Sequence, residues 1–133
     1  MSTAWPPAIE LSGPHARLVP LTREHAAGLV DAVRDGELWK LWYTSIPAPE
    51  AMPAEIERRL ALQAQGSMLP WTVLDAGDRI VGMTTYMNID ATHRRVEIGS
   101  TWYAAGAQRG PLNTQCKLLL LGHAFEALDC IAV

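Results

Sequence analysis

Three strand-like segments follow one another in the middle of this chain with little between them, and that decides most of what it can fold into. Residues 70–74 (P-W-T-V-L) and 79–86 (R-I-V-G-M-T-T-Y) are separated only by Asp75, Ala76, Gly77 and Asp78. That tetrapeptide reads as a hairpin turn, with Gly77 expected at the positive φ such turns need. A polar stretch, 88–94, leads to a third segment, 95–103 (R-V-E-I-G-S-T-W-Y). Connections this short cannot carry a chain across to a parallel neighbour, so the three form an antiparallel meander. On 95–103, strict alternation places Val96, Ile98, Ser100 and Trp102 on one face and Glu97, Gly99, Thr101 and Tyr103 on the other.

The flanks read as helices and further strands. Residues 16–21 (A-R-L-V-P-L) form a short strand, with Pro20 at its end or edge because proline cannot donate to a ladder. Thr22 follows as an N-cap, and Leu29, Val30 and Val33 make a helical stripe that stops at Gly36. Residues 38–49 carry Trp39, Leu41, Trp42 and Tyr43 without a clean period. They read as a core plug under a loop or as a substrate wall, the plug being the simpler reading. Pro53 opens a second helix with Ile56, Leu60 and Leu62 as its apolar face, ended by Gly66. Residues 114–128 form a third helix, with Leu118, Leu119, Leu121, Phe125 and Leu128 as its expected apolar stripe. Residues 130–133 (C-I-A-V) look like one more strand. The order is strand, helix, helix, three strands, helix, strand. It defines a mixed α/β class, mainly antiparallel, with helices on both faces of the sheet.

Composition narrows the function. At 133 residues, 49% apolar and 19% charged, the chain can bury a core, and one domain over 1–133 is expected. A net charge of −3 offers no general attraction to nucleic acid. No apolar run approaches the roughly 18 residues of a membrane helix, and the first ten residues lack a secretory pattern. Cys116 and Cys130 fit no metal spacing and read as buried free thiols, as in a reducing cytoplasm.

Four segments in this order resemble the GNAT acetyltransferases, and within them the group similar to ribosomal-protein N-terminal acetyltransferases. They are 16–21 (A-R-L-V-P-L), 80–84 (I-V-G-M-T), 96–103 (V-E-I-G-S-T-W-Y) and 113–125 (N-T-Q-C-K-L-L-L-L-G-H-A-F). The resemblance implies acetyl-CoA as acyl donor and a primary amine as acceptor, such as a protein N-terminus. It implies that the backbone of Trp102 and Tyr103 pairs with the pantetheine arm. It also implies that Gln108, Arg109, Gly110, Leu112, Asn113 and Thr114 hold the pyrophosphate. Amides at a helix start, together with the helix dipole, bind phosphate in general. Pro111 departs from the usual glycine and has no N–H to offer. Arg109 can compensate with a charge-assisted contact. An ordinary loop capping a helix remains the alternative reading of 108–114.

Acetyl transfer to an ammonium needs a base, and Glu97 lies where the family often carries one. Its other reading is a carboxylate paired with Arg94 or Arg95. Tyr86 and Thr101 are weaker candidates for substrate contacts. His93 reads as a surface residue, and His123 as a hydrogen-bonded structural histidine. Lys117 reads as exposed or as a secondary phosphate contact. Domains of the resembled family continue for a further helix and strands beyond residue 133, so the chain matches their first two-thirds. Two expectations follow. An exposed sheet end favours a homo-oligomer. The alternative to an enzyme is a non-catalytic remnant that binds CoA or only self-associates.

Overall fold

A computed structural model describes residues 6, 8–35, 46–108, 110–128 and 130. The expected plug at Trp39, Leu41, Trp42 and Tyr43, the stop at Gly36, Arg109 and residues 131–133 lie outside them. Five strands form one sheet in the order β1 (Leu11–Ser12), β2 (Ala16–Pro20), β3 (Met68–Asp75), β4 (Ile80–Asp90) and β5 (Arg95–Tyr103). Every neighbouring pair is antiparallel, as the short connections require. Three helices flank it: α1 (Ala26–Arg34), α2 (Met52–Ala64) and α3 (Leu112–Gly122).

Alternate residues of β3 send their side chains into opposite layers. Trp71 meets Tyr86 of β4 edge to face, with ring centroids 4.9 Å apart. The Tyr86 hydroxyl donates to the Leu120 carbonyl of α3, so this layer belongs to α3. The next residue, Thr72, reaches the other layer, where its hydroxyl lies 2.7 Å from His25 Nδ1 just ahead of α1. The same nitrogen accepts the Thr22 amide at 3.2 Å, closing the turn that Thr22 caps. Burial pushes the His25 pKa down, which suits an imidazole that must keep Nδ1 unprotonated.

The hairpin between β3 and β4 forms where expected, but through a different residue. Asp78 takes the left-handed backbone (φ 63°), and Gly77 does not. Asp75 explains this. Its Oδ1 accepts the amides of Gly77 (2.9 Å) and Arg79 (3.0 Å), and this side-chain-built turn pushes the positive φ one residue on. Aspartate tolerates that conformation better than most side chains. β4 also runs to Asp90, so the polar loop is only 91–94, shorter than its composition suggests.

The helices correct two expectations of face. In α2 the buried positions are Met52, Ile56 and Arg59, while Leu60 and Leu62 are half-buried. Arg59 is tolerated inside because Glu55 Oε2 accepts from its Nε at 2.8 Å. In α3 the buried stripe is Leu112, Cys116 and Leu120, continued by Ala124. That spacing of four repeats the helix period and selects smaller side chains than the leucine-rich stripe read from sequence. Leu118 (61% exposed), Leu121 (37%) and Phe125 (49%) face outward. Beyond Gly122 the helix widens into a π turn, His123–Ala127. Cys130 returns its amide to the Ala124 carbonyl (2.9 Å), so the chain is still leaving the helix there. Among the described residues no helix is long and apolar enough to cross a membrane.

Candidate active site

The site is built where β5 runs through a turn into α3. β5 is not a regular strand. Gly99 pairs with Thr85 and Trp102 with Met83, so two residues of β5, Ser100 and Thr101, stand opposite Thr84 alone. This is a β-bulge, and Ser100 carries its left-handed backbone at φ 48°. The extra residue exchanges the faces beyond it. Met83, Thr85 and Met87 share one face of β4, and their partners Trp102, Gly99 and Glu97 therefore share one face of β5. Tyr103, paired with Gly82, joins Ile98, paired with Tyr86, on the α3 side. The strict alternation expected from sequence is thus overturned for Trp102 and Tyr103. The strands leave no room for a side chain at Gly82, where a Cβ would sit 2.1 Å from the Trp102 carbonyl oxygen.

A second bulge lies at the other end of the pair. Met87 faces Glu97 and Asp90 faces Arg95, with Asn88 in the left-handed region at φ 50°. Asn88 Nδ2 donates to Glu97 Oε2 at 2.9 Å, and the Glu97 side chain is exposed. The Asn88 amide thus holds the orientation of the Glu97 carboxylate. Asn88 falls in the stretch read from sequence as loop, and nothing in its type reveals this role.

At the far end, Tyr103 and Trp102 are buried. The Tyr103 hydroxyl meets Cys116 of α3, and burial raises both groups' pKa values, so both stay protonated near neutrality. Gln108 Nε2 donates to the Tyr103 carbonyl at 2.9 Å, which folds the turn back onto the strand. Ala105–Ala107 form one 3-10 turn. Pro111 then serves as the N-cap of α3, and the first helical bond runs from the Gln115 amide to the Pro111 carbonyl at 3.0 Å. The amides of Leu112, Asn113 and Thr114 precede that bond and belong to the unsatisfied set every helix start carries. Asn113 is half-buried and Thr114 exposed. A Cβ at Gly110 would meet nothing within 4 Å, so the approach to these amides is open there. The first turn of α3 therefore fits a phosphate group despite the missing N–H of Pro111.

The outer edge of β5 has no sixth strand beside it among the described residues. A cavity of about 430 Å³ lies under the inner side of the turn, lined by Asp31, Asp35, Asp75, Arg79, Ala104 and Gly106 among others. Its three carboxylates repel a polyanion, but Gly110, Pro111 and Leu112 also line it, so it adjoins the start of α3. No cluster suited to a metal ion occurs among the described residues.

Other candidates are brought to different ends. Tyr86 is fully buried and serves as a strut between β4 and α3, so it makes no substrate contact. Thr101 Oγ1 pairs with Thr84 Oγ1 at 2.8 Å across the bulge. His93 is a surface residue held by Asp90 (2.7 Å), and Lys117 is exposed. His123 is structural but not by hydrogen bonding at Nε2, which is buried without a partner among the described residues. Its ring lies parallel to Tyr86, 6.4 Å away between centroids, and burial lowers its pKa.

An antiparallel sheet between helix layers, with a bulged strand leading into a helix N-terminus, places the chain in the mixed α/β class of fold. The chain matches the model of the acetyltransferase (GNAT) domain over residues 15–133 and belongs to that family. Among solved structures, an acetyltransferase-assigned protein from T. thermophilus is 27% identical over 95% of this chain, with a TM-score of 0.76. A GCN5-related N-acetyltransferase from Brucella melitensis is 28% identical over 94% of this chain, with a TM-score of 0.75. RimL, a ribosomal L7/L12 α-N-protein acetyltransferase in complex with coenzyme A, shares the fold at 15% identity, covering 92% of this chain and 71% of its own, with a TM-score of 0.74. This chain spans 65% of the length of the first protein and 58% of the second. Comparison with curated proteins finds no match.

Proposed function

We propose that the chain carries the acetyl-CoA-binding part of an N-acetyltransferase acting on a primary amine, a protein N-terminus being the leading acceptor class. The observation that carries it is the continuity of bulged edge strand, tight turn and helix N-terminus over 95–114. The protein N-terminus rests on the fold shared with RimL and on the segments quoted above. Acetyl-CoA supplies an activated thioester. The chain's own residues do the rest. The amides of Leu112, Asn113 and Thr114, with Gly110 and Arg109, take the pyrophosphate. The outer edge of β5 at Trp102 and Tyr103 offers backbone groups to an extended arm. Gln108 braces the turn. Glu97, oriented by Asn88, accepts the amine proton directly or through water. The buried thiols of Cys116 and Cys130 suit the reducing cytoplasm in which we place the reaction.

Titration calorimetry with acetyl-CoA tests the site. Arg109→Glu combined with Gly110→Val is expected to weaken binding at least about tenfold, a loss of about 1.4 kcal/mol. Equal binding by this variant and the wild type removes the assignment.

Self-association is a second proposal, with a second copy of the chain as the partner. Its support is the outward row Leu118, Leu121 and Phe125, spaced so that all three share one side of the helix. Light scattering on freshly reduced protein is expected to give a mass above the 14.6 kDa of one chain. A 14.6 kDa species with a cooperative melt overturns it.

A further inference from the structure

Asp35 ends α1 in an unfavourable place for a carboxylate. It is the C-cap, where the helix dipole presents its negative end. A residue set against its local electrostatics calls for a compensating tertiary contact. The structure provides one. Asp35 Oδ2 accepts the Gly106 amide at 2.9 Å, and the Asp35 carbonyl accepts the Ala105 amide at 3.4 Å. Both amides belong to the 3-10 turn between β5 and α3, seventy-one residues away along the chain in the case of Gly106. The fit is close on the other side too. A Cβ at Gly106 would lie 3.2 Å from Asp35 Oδ2, tighter than an ordinary contact. The same carboxylate faces the cavity under the turn together with Ala104, Gly106 and Gly110.

We infer that Asp35 is a positioning residue for the cofactor turn: it clamps Ala105 and Gly106 to the end of α1 and so sets where the first amides of α3 stand. This rests on the acetyl-CoA reading of that turn. A carboxylate beside the phosphates would repel them, so the role assigned to Asp35 is indirect. It acts through two backbone amides. The first helix thereby controls a site that otherwise consists of β5 and α3.

The test uses the intact chain and two readouts. Amide exchange followed residue by residue in NMR reports the clamp itself. Asp35→Ala is expected to speed exchange at Gly106 about tenfold or more, as for any lost hydrogen bond. Asp35→Asn keeps an acceptor oxygen and is expected to restore protection. Calorimetry reports the consequence. Asp35→Ala is expected to raise the acetyl-CoA Kd about tenfold, and Asp35→Asn to return it to within about threefold of wild type. Unchanged Gly106 exchange in Asp35→Ala overturns the clamp. So does equal acetyl-CoA affinity in wild type and Asp35→Ala, or a loss in Asp35→Asn as large as in Asp35→Ala. Failure of the wild type itself to bind acetyl-CoA removes the transferase reading instead. The two failures are therefore distinguishable. Should Asp35→Ala not fold, Asp35→Leu keeps a side chain of similar branching without an acceptor, and unchanged Gly106 exchange or unchanged affinity there overturns the clamp equally.

Discussion

Glu97→Gln is expected to lower turnover about 10²–10⁴-fold while acetyl-CoA affinity stays near wild type, in any form of the protein that shows activity. Glutamine keeps the size and strand packing of glutamate but cannot take a proton. The hydrogen bond from Asn88 Nδ2 survives, because the glutamine carbonyl oxygen still accepts. The variant therefore separates proton transfer from orientation. The side chain is exposed, so the substitution leaves no buried polar group unsatisfied and stability should hardly change. A pH–rate profile and a turnover unchanged from wild type rule Glu97 out as the base.

Gly82→Ala should have the largest effect on the fold. The added Cβ would lie 2.1 Å from the Trp102 oxygen, 3.0 Å from Tyr103 Cα and 3.1 Å from Trp102 carbon. All three are backbone atoms of a paired strand, so no flexible side chain can move aside. Relief requires β5 to shift away from β4 at the place where it leads to the cofactor turn. We expect a cost of about 3 kcal/mol, the upper end of ordinary overpacking. That corresponds to a melting temperature lower by about 10 °C for a domain of this size. Thermal denaturation followed by circular dichroism is the measurement. A melt within about 2 °C of wild type shows that the strands do not need this contact.

Much of the architecture was legible because it follows from short connections and periodicity. The bounds of β5 coincide with those read from 95–103, and the 3-10 turn Arg23–His25 that leads into α1 begins just after Thr22. What escaped reading depends on single backbone events. The leucine-rich side of α3 drew attention by hydrophobicity, yet a helix against a sheet buries what fits, and Cys116 and Ala124 fit where Leu118 does not. Asp75 decides the hairpin turn through its side chain, so Gly77 misleads. Ser100 has no special propensity for a left-handed backbone, and alternation failed at that residue. The candidate site was legible as a segment, 95–114, because its motif is local. Asn88 and Asp35 were not, because each reaches the site through a fold-dependent contact.

The bulge at Ser100 makes residue count a variable in its own right. From Glu97 to Gly99 the strand keeps one phase with β4, and from Trp102 it keeps the opposite one. Deleting either Ser100 or Thr101 would give Thr84 a single partner and restore regular pairing, with Trp102 still opposite Met83 and Tyr103 still opposite Gly82. Trp102 and Tyr103 would keep their faces, and Tyr103 its contact with Cys116. A deletion elsewhere in the strand has no extra residue to absorb it and would exchange the faces beyond it. Across 95–103, then, this protein should tolerate the loss of one residue at the bulge and no such loss beside it.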